Sequence, residues 1–215
     1  MNNEANIEQN VVEVEVDHVQ SKQEKRRKRT VFLAGTAIFA AISVLLYITK
    51  VPPFIFPIFP PPFNFLEINF SEVPALIAGF AYGPLSGFLV LVIRFLIKLP
   101  LSSTAFIGEI ADIIYSSSFV VTAAIFYKYR RTLKGVITGL GVAFVLQLIV
   151  SAAANYFVIY DLYNKLFFKG NIPFEPELFI LYVVPFNAIK NTIIATLTLL
   201  IYKRTSRFIN QVLSK

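Results

Sequence analysis

The 215-residue chain has no cysteine and no tryptophan, and it has only one histidine. Without cysteine, the chain has no disulfide, no thiolate nucleophile and no cysteine-ligated metal site. The single histidine, His18, lies in a polar segment and does not by itself supply a zinc site. We therefore predict that the protein holds no metal.

Charged side chains are also scarce. Asp, Glu, Lys and Arg make up 15% of the chain, whereas hydrophobic residues make up 56% and the mean hydropathy is +0.65. Soluble domains have about 25% charged and roughly 45–50% apolar residues, so a water-soluble globule is excluded. One helical membrane crossing needs about 20 residues, and apolar stretches of that length fill most of this chain. The sequence predicts an all-α polytopic membrane protein with six transmembrane helices.

Composition divides the chain into three parts. An acidic stretch and a basic cluster with few large apolar groups predict a disordered cytoplasmic tail over residues 1–29. A six-helix membrane domain is predicted over 30–205, and a second cytoplasmic tail over 206–215. The break at Gly83-Pro84 ends one helix and starts the next, because the residue before proline avoids the helical region. The predicted spans are 30–47, 70–82, 84–98, 105–127, 135–160 and 178–202.

A proline-rich segment follows the first span. Its six prolines remove backbone donors and restrict φ, so neither a helix nor a central strand is expected there. We predict an extended outer loop. The prolines are Pro52, Pro53, Pro57, Pro60, Pro61 and Pro62.

Basic residues predict the orientation of the chain in the membrane. The segments 22–29, 128–134 and 203–215 hold fourteen of the twenty Lys and Arg residues, and cytoplasmic segments carry an excess of these residues. Six crossings place all three segments, and both termini, in the cytoplasm. The membrane orientation explains why the chain is basic, with a net charge of +7. The charge is therefore no evidence for nucleic-acid binding, and we predict no nucleic-acid partner.

The chain contains none of the sequence patterns that we would expect of an ATPase or an enzyme. It has no G-x-x-x-x-G-K-[ST] phosphate loop, so it is not expected to hydrolyse ATP alone. It also shows no nucleophile–base pair. If the protein carries out active transport, an ion gradient or a separate motor must supply the work.

Polar side chains inside predicted spans are candidates for a binding site, because a mid-membrane charge costs about 2.5–3.5 kcal/mol on insertion scales. Lys190 lies in the sixth span, and Asn187 shares its helix face. With a rise of about 1.5 Å per residue from the basic ends, both Lys190 and Asn155 fall in the outer half of the membrane. These three side chains are predicted to meet a ligand at similar depth.

Two carboxylates share a face near the outer end of the fourth span. Glu109 and Asp112 are interpreted as hydrogen-bond acceptors for a ligand, or as salt-bridge partners of Lys190 or Arg94. The alternative is that these charges only pair with one another and fix the helix register. No third oxygen-rich cluster accompanies the pair, which disfavours a metal site.

Ala37 and Ala41 in the first span are small residues spaced by four, which lets another helix approach closely. This pair predicts either a partner-docking face or internal packing.

Several segments together resemble a known family. NFLEINFSEVPALIAGFAYGPLSG over 64–87, followed by GEIAD over 108–112, is similar to the substrate-binding S components of energy-coupling-factor (ECF) vitamin transporters. NYF over 155–157 and PFNAIK over 185–190 narrow the resemblance to the riboflavin-specific branch. The resemblance covers about residues 30–205.

The resemblance implies a six-helix protein that binds its vitamin from outside, beneath the loop after the first helix. The cargo would be riboflavin, and no cofactor is implied. Ala37 and Ala41 would dock onto a transmembrane coupling subunit that works with two ATPase subunits, the motor that this chain lacks. The implied ligand contacts are Asn155, Asn187 and Lys190 at the flavin ring, and Glu109 with the segment from Asn64 to Asn69 at the ribityl hydroxyls.

The residues alone leave other functions open. One is an S component for another vitamin, and a second is an ion-coupled carrier that uses Glu109, Asp112 and Lys190. A third is a membrane scaffold that only packs helices. A membrane enzyme is disfavoured.

Overall fold

A computed structural model describes residues 2–49, 55–59, 63, 66–102, 104–172 and 175–213. Within these residues, six helices of 11 residues or more form the fold. Their bounds are α1 Asn2–Ile48, α2 Glu72–Tyr82, α3 Pro84–Lys98, α4 Ile107–Tyr129, α5 Leu133–Ala154 and α6 Pro176–Leu213.

Five of the six helices are long and apolar enough to cross a membrane, with α3 counted together with the helical turn Leu99–Leu101 that follows it. Many of their large hydrophobic side chains are exposed on the outside of the bundle. The sixth, α2, has only 11 residues and is about 16 Å long, against a hydrocarbon core of about 30 Å. The predicted all-α membrane fold is confirmed. The predicted second span is this short helix.

The α5 helix does not stop at its last regular turn. It continues through two wider π-helical segments, Asn155–Ile159 and Tyr163–Phe167, which are joined by a turn at Tyr160–Leu162. Such π-helical segments are often found at functional sites, because they change the direction of the side chains that follow. Asn155, a predicted binding residue, begins the first of them.

The outer loop contains a short strand pair that the sequence did not indicate. Strand β1, Ile55–Pro57, pairs antiparallel with β2, Glu67–Asn69, so that Phe56 lies opposite Ile68. Both strands of a two-stranded ribbon are edges, and an edge tolerates Pro57 without a backbone donor. The ribbon holds β2 immediately before α2.

The structure extends α1 back to Asn2, where the sequence predicts a disordered tail over 1–29. Side chains 20–29 are exposed, and Glu24 pairs with Lys28 one turn later, at 2.6 Å. An exposed polar helix gains no packing, and such helices are marginal in water. The structure therefore differs from the predicted tail, and the boundaries of both tails stay predictions.

The short helix α2 lies at the centre of the bundle. Ten of its eleven residues are buried, and it contacts α1, α3, α4 and α6. At its end Gly83 adopts φ = 99°, a left-handed conformation that favours glycine, and Pro84 starts α3 as an antiparallel neighbour. The predicted break at Gly83-Pro84 is confirmed.

Gly87 lets α3 approach α2 closely, and we expect its replacement to destabilise the bundle. A Cβ there would lie 2.9 Å from the Ala75 carbonyl oxygen and from Val120 Cγ1. Gly87→Ala should therefore lower the free energy of unfolding by about 1–3 kcal/mol, as overpacking does. The measurement is the thermal unfolding midpoint in detergent.

Gly141→Ala is the matched control, since its Cβ would have nothing within 4 Å. Alanine favours the helix over glycine by up to about 1 kcal/mol, so this variant should be neutral or more stable. Equal midpoints for the two variants would contradict the close α2–α3 contact.

Candidate functional site

The predicted binding residues that the structure describes all line one cavity. It lies at the end of the bundle where α1 and α3 end and α4 begins, opposite the basic segment 128–134. The empty space within it is ≈ 830 Å³, a figure that includes the open solvent at its mouth. The predicted residues that line it are Asn69, Glu109, Asn155, Asn187 and Lys190. Asn64 lies outside the described residues.

A cluster of four alternating charges adjoins this cavity, and two of its members, Asp112 and Lys190, line it. Lys190 Nζ contacts Glu72 Oε1 and lies 3.0 Å from Asp112 Oδ1, while Arg94 Nη2 donates to Asp112 Oδ2 at 2.5 Å. The four groups come from α6, α2, α4 and α3. Their charges sum to zero, as buried ions require if their desolvation is to be offset.

Arg94 is buried with 2% of its side chain exposed, and it holds several elements together. It donates to Ser71 Oγ at 2.7 Å and to Ser116 Oγ at 3.2 Å, and the Tyr47 ring lies 4.7 Å from its guanidinium carbon. Asn69 Oδ1 accepts from the backbone N–H and the hydroxyl of Ser71. Through these bonds the strand residue Asn69 is linked to Arg94 and so to the charged cluster.

A second ion pair lies nearer the outer rim. Glu109 Oε1 is 3.4 Å from Lys98 Nζ, and Glu109 Oε2 accepts from Ser102 at 2.5 Å and from Thr104 at 3.2 Å. Lys98 also lies 3.7 Å from the centre of the Tyr47 ring, a cation–π contact.

The two predicted carboxylates have different ion-pair partners in the structure. Asp112 takes both of the proposed partners, Lys190 and Arg94, whereas Glu109 pairs with Lys98. The expected salt bridge between Glu109 and Lys190 or Arg94 is therefore wrong. Glu109 is almost one helical turn closer to the start of α4, where the end of α3 brings Lys98 beside it.

The two predicted amides are held by their own helices. Asn187 Nδ2 donates to the Val183 carbonyl at 3.0 Å, and its Oδ1 accepts from Gln147 at 3.0 Å. Asn155 Nδ2 donates to the Ser151 carbonyl at 2.6 Å. Each amide therefore keeps one N–H for a ligand, and the Oδ1 of Asn155 is available as an acceptor.

Apolar side chains complete the cavity. They include Ile159, Phe179, Val183 and Phe186. The outer loop packs on the same region, since the buried Phe63 stacks on Tyr182 of α6 with ring centres 4.0 Å apart. A flat apolar ligand with one polar edge fits such a lining.

A second cavity lies at the opposite, basic end of the bundle. Phe32, Tyr82, Tyr127, Lys128 and Arg131 are among its lining residues. It contains none of the predicted binding residues.

Comparison with known proteins identifies the family. Residues 31–202 match the family model described as "ECF transporter, substrate-specific component". The chain belongs to this family. It is 32% identical to the riboflavin transporter RibU of Staphylococcus aureus (strain TCH60) over 84% of this chain and 93% of that one. It is 25% identical to the riboflavin transporter FmnP of Bacillus subtilis (strain 168) over 81% and 93%.

A solved structure, described as the S component of a bacterial ECF transporter, has the same fold. It superposes with a TM-score of 0.68 at 31% identity, over 84% of this chain and 98% of that one. ECF S components are membrane transport proteins that supply the substrate-specific part of a transporter and are not enzymes. The resemblance found in the sequence is confirmed.

The predicted docking pair of this S component lies on the surface. Ala37 and Ala41 are exposed, and Ala34 extends the same small-residue face one turn further. The neighbouring face of α1 is packed, with Ala40 and Ser43 buried. Internal packing within this chain therefore does not explain the Ala37–Ala41 pair.

Sequence reasoning missed several side chains that line the cavity or pair with its lining residues, among them Glu72, Lys98 and Tyr115. Glu72 is an acid in a strongly apolar stretch, and that position inside a span was a signal for it. Lys98 is the last residue of the predicted third span, and its pairing with Glu109 depends on how α3 and α4 pack. Tyr115 gave no signal among ten tyrosines.

Proposed function

We propose that this S component binds riboflavin from the outer side of the membrane. We further propose that it delivers the vitamin inward as part of an ATP-driven ECF transporter. Both termini would lie in the cytoplasm after six crossings. Binding would occur at the end of the bundle opposite the basic segments.

The observation that carries this proposal is the convergence of Asn155, Asn187 and Lys190 on one cavity. They lie on two helices, separated by more than thirty positions of sequence, and each keeps hydrogen-bonding capacity that the protein does not use. An ion pair alone would explain Lys190 but neither amide. A ligand with a polar edge explains all three.

The ring system of riboflavin has the matching chemistry. Its polar edge carries carbonyl oxygens and ring nitrogens that accept hydrogen bonds, with one N–H between the two carbonyls. The remaining N–H groups of Asn187 and Lys190 can donate to acceptors, and Asn155 Oδ1 can accept from that N–H. The dimethylbenzene end of the ring suits the apolar wall of Phe179, Val183 and Phe186.

The ribityl chain would extend toward the rim of the cavity. There the carboxylate of Glu109 can accept from hydroxyls, and Asn69 lies on the β2 side of the same rim. Asn64 is proposed to contribute from the same loop. This arrangement requires no metal and no cofactor.

Transport would require the partners that the family implies. A transmembrane coupling subunit is proposed to bind the exposed face at Ala37 and Ala41, and two ATPase subunits would supply the energy. These partners account for the missing phosphate loop in this chain.

The proposal is tested by purification of the full chain in detergent. We expect co-purified flavin absorbance, or quenching of tyrosine fluorescence when riboflavin is added to ligand-free protein. ATP-dependent riboflavin uptake should then require reconstitution with the coupling and ATPase subunits. A protein that gives no riboflavin response, or that transports in vesicles without ATPases, would refute the proposal.

Asn155→Ala should weaken riboflavin binding about tenfold, because a ligand hydrogen bond is worth about 0.5–1.5 kcal/mol and an unmet buried group costs more. The quantity to measure is the Kd from fluorescence titration. Asn171→Ala is the control, since Asn171 is exposed in the loop before α6. Equal Kd values for the two variants would remove Asn155 from the site.

A further inference from the structure

The most unusual polar group in the cavity is the hydroxyl of Tyr115. Tyr115 lies on α4 with 7% of its surface exposed, and it lines the same cavity as Asn155 and Lys190. Its hydroxyl forms no hydrogen bond with any residue that the structure describes. Asn155 lies beside it and donates one of its two amide N–H groups to the Ser151 carbonyl.

Packing does not explain a tyrosine at this position. The ring belongs to an apolar cluster that includes Ile107, Ile159, Phe179 and Val183, and phenylalanine would fill the same space. A buried hydroxyl without a partner destabilises the folded chain, because the loss of its bonds to water is not offset. A group that destabilises the empty protein in this way has a reason to be there only if something else satisfies it.

The other unpaired hydroxyls differ from Tyr115 in two respects. Ser117 and Thr198 are buried within helices and do not line the cavity. Short hydroxyl side chains of this kind can turn toward a carbonyl of the preceding helical turn. The phenol of Tyr115 extends far from its own backbone and has no such alternative.

The depth of Tyr115 indicates which part of a ligand it meets. It lies six positions after Glu109 on α4, which is about 9 Å farther into the bundle at 1.5 Å per residue. Glu109 belongs to the outer rim, whereas Tyr115 is level with Asn155. The hydroxyl therefore faces the end of the cavity assigned above to the flavin ring.

We propose that the Tyr115 hydroxyl donates a hydrogen bond to an acceptor atom, a carbonyl oxygen or a ring nitrogen, on the polar edge of the bound flavin ring. This specificity role rests on the proposed riboflavin function. Tyr115 adds a third donor to those of Asn187 and Lys190. Together these three donors favour a ligand whose ring edge carries several hydrogen-bond acceptors.

The test compares Tyr115→Phe with Tyr127→Phe in the purified, ligand-free chain. Tyr127 is also buried, but its hydroxyl is 3.1 Å from that of Tyr202 and lines the other cavity. For Tyr115→Phe we expect about tenfold weaker riboflavin binding, with a thermal midpoint without ligand that is equal to or above that of the wild type. For Tyr127→Phe we expect the reverse: an unchanged Kd and a lower midpoint.

The ring assignment is tested with lumiflavin, which keeps the ring system and lacks the ribityl chain. The tenfold loss in Tyr115→Phe should persist with lumiflavin. A loss confined to riboflavin would assign the hydroxyl to the ribityl chain and overturn the proposal. A Kd within twofold of the wild type for both ligands would overturn it as well.

Failure of the general function gives a different result. A wild-type chain that binds neither flavin overturns the riboflavin proposal, and the Tyr115 assignment with it. A wild type that binds, combined with a Tyr115→Phe variant that binds equally well, overturns the Tyr115 assignment alone.

Discussion

Lys190→Met is expected to weaken riboflavin binding strongly and to destabilise the fold. Removal of the ammonium leaves Glu72 without a cation, since its remaining partner is the hydroxyl of Ser116 at 2.8 Å. Breaking a buried ion pair from one side costs about 3–5 kcal/mol. We expect a thermal midpoint several degrees lower, together with a Kd for riboflavin that is raised at least thirtyfold.

A second variant separates the structural role of Lys190 from its ligand contact. Lys190→Met combined with Glu72→Gln removes both charges, so the thermal midpoint should largely recover. Binding should not recover, because the donor toward the cavity is still missing. Lys165→Met, which changes an exposed lysine near the outer loop, serves as control for both measurements.

The double variant decides between two interpretations of the charge cluster. Wild-type affinity in that variant would mean that Lys190 only pairs with carboxylates and fixes the position of α6. Lost affinity with recovered stability would make Lys190 a ligand-binding residue.

Bulky replacement at the α1 face is expected to stop transport while leaving binding intact. Ala37→Trp and Ala41→Trp place a large ring on an exposed face where close helix approach depends on small residues. Neither side chain lines the cavity. We expect uptake to fall more than tenfold with an unchanged riboflavin Kd.

Ile42→Trp is the matched control. Ile42 is 41% exposed on the same helix, and at about 100° per residue it lies well away from the direction of Ala37. Its replacement should leave uptake near the wild-type rate. Normal uptake in Ala41→Trp, or an equal loss in Ile42→Trp, would remove the alanines from the docking face.

The charged cluster beside the cavity joins four helices. Glu72, Arg94, Asp112 and Lys190 come from four different helices and pair with one another. These ion pairs fix the positions of Asp112 and Lys190 in the cavity lining, and a fixed binding residue lowers the ordering cost of binding.

Much of the fold follows from local sequence. The long apolar segments predicted the long helices, and Gly83-Pro84 predicted the break between α2 and α3. Each of these features depends on a few neighbouring residues and on the solvent, either lipid or water, that a segment must face.

The pairing of charges did not follow from sequence. Asp112 and Glu109 share a helix face, yet one pairs with Lys190 and Arg94 and the other with Lys98. The choice depends on where α3 ends relative to α4, a distance of one helical turn that periodicity does not specify. The two-stranded ribbon at Ile55–Pro57 likewise depends on a partner strand ten residues away.

The sequence by itself determined that this chain is an all-α membrane protein with polar residues inside its apolar segments, because transfer into lipid acts on each segment separately. Only the tertiary structure decided which of these residues share a cavity and which hydroxyl there lacks a partner. Hydrogen bonds and ion pairs form over about 3 Å, and such distances between helices are set by packing of the whole bundle.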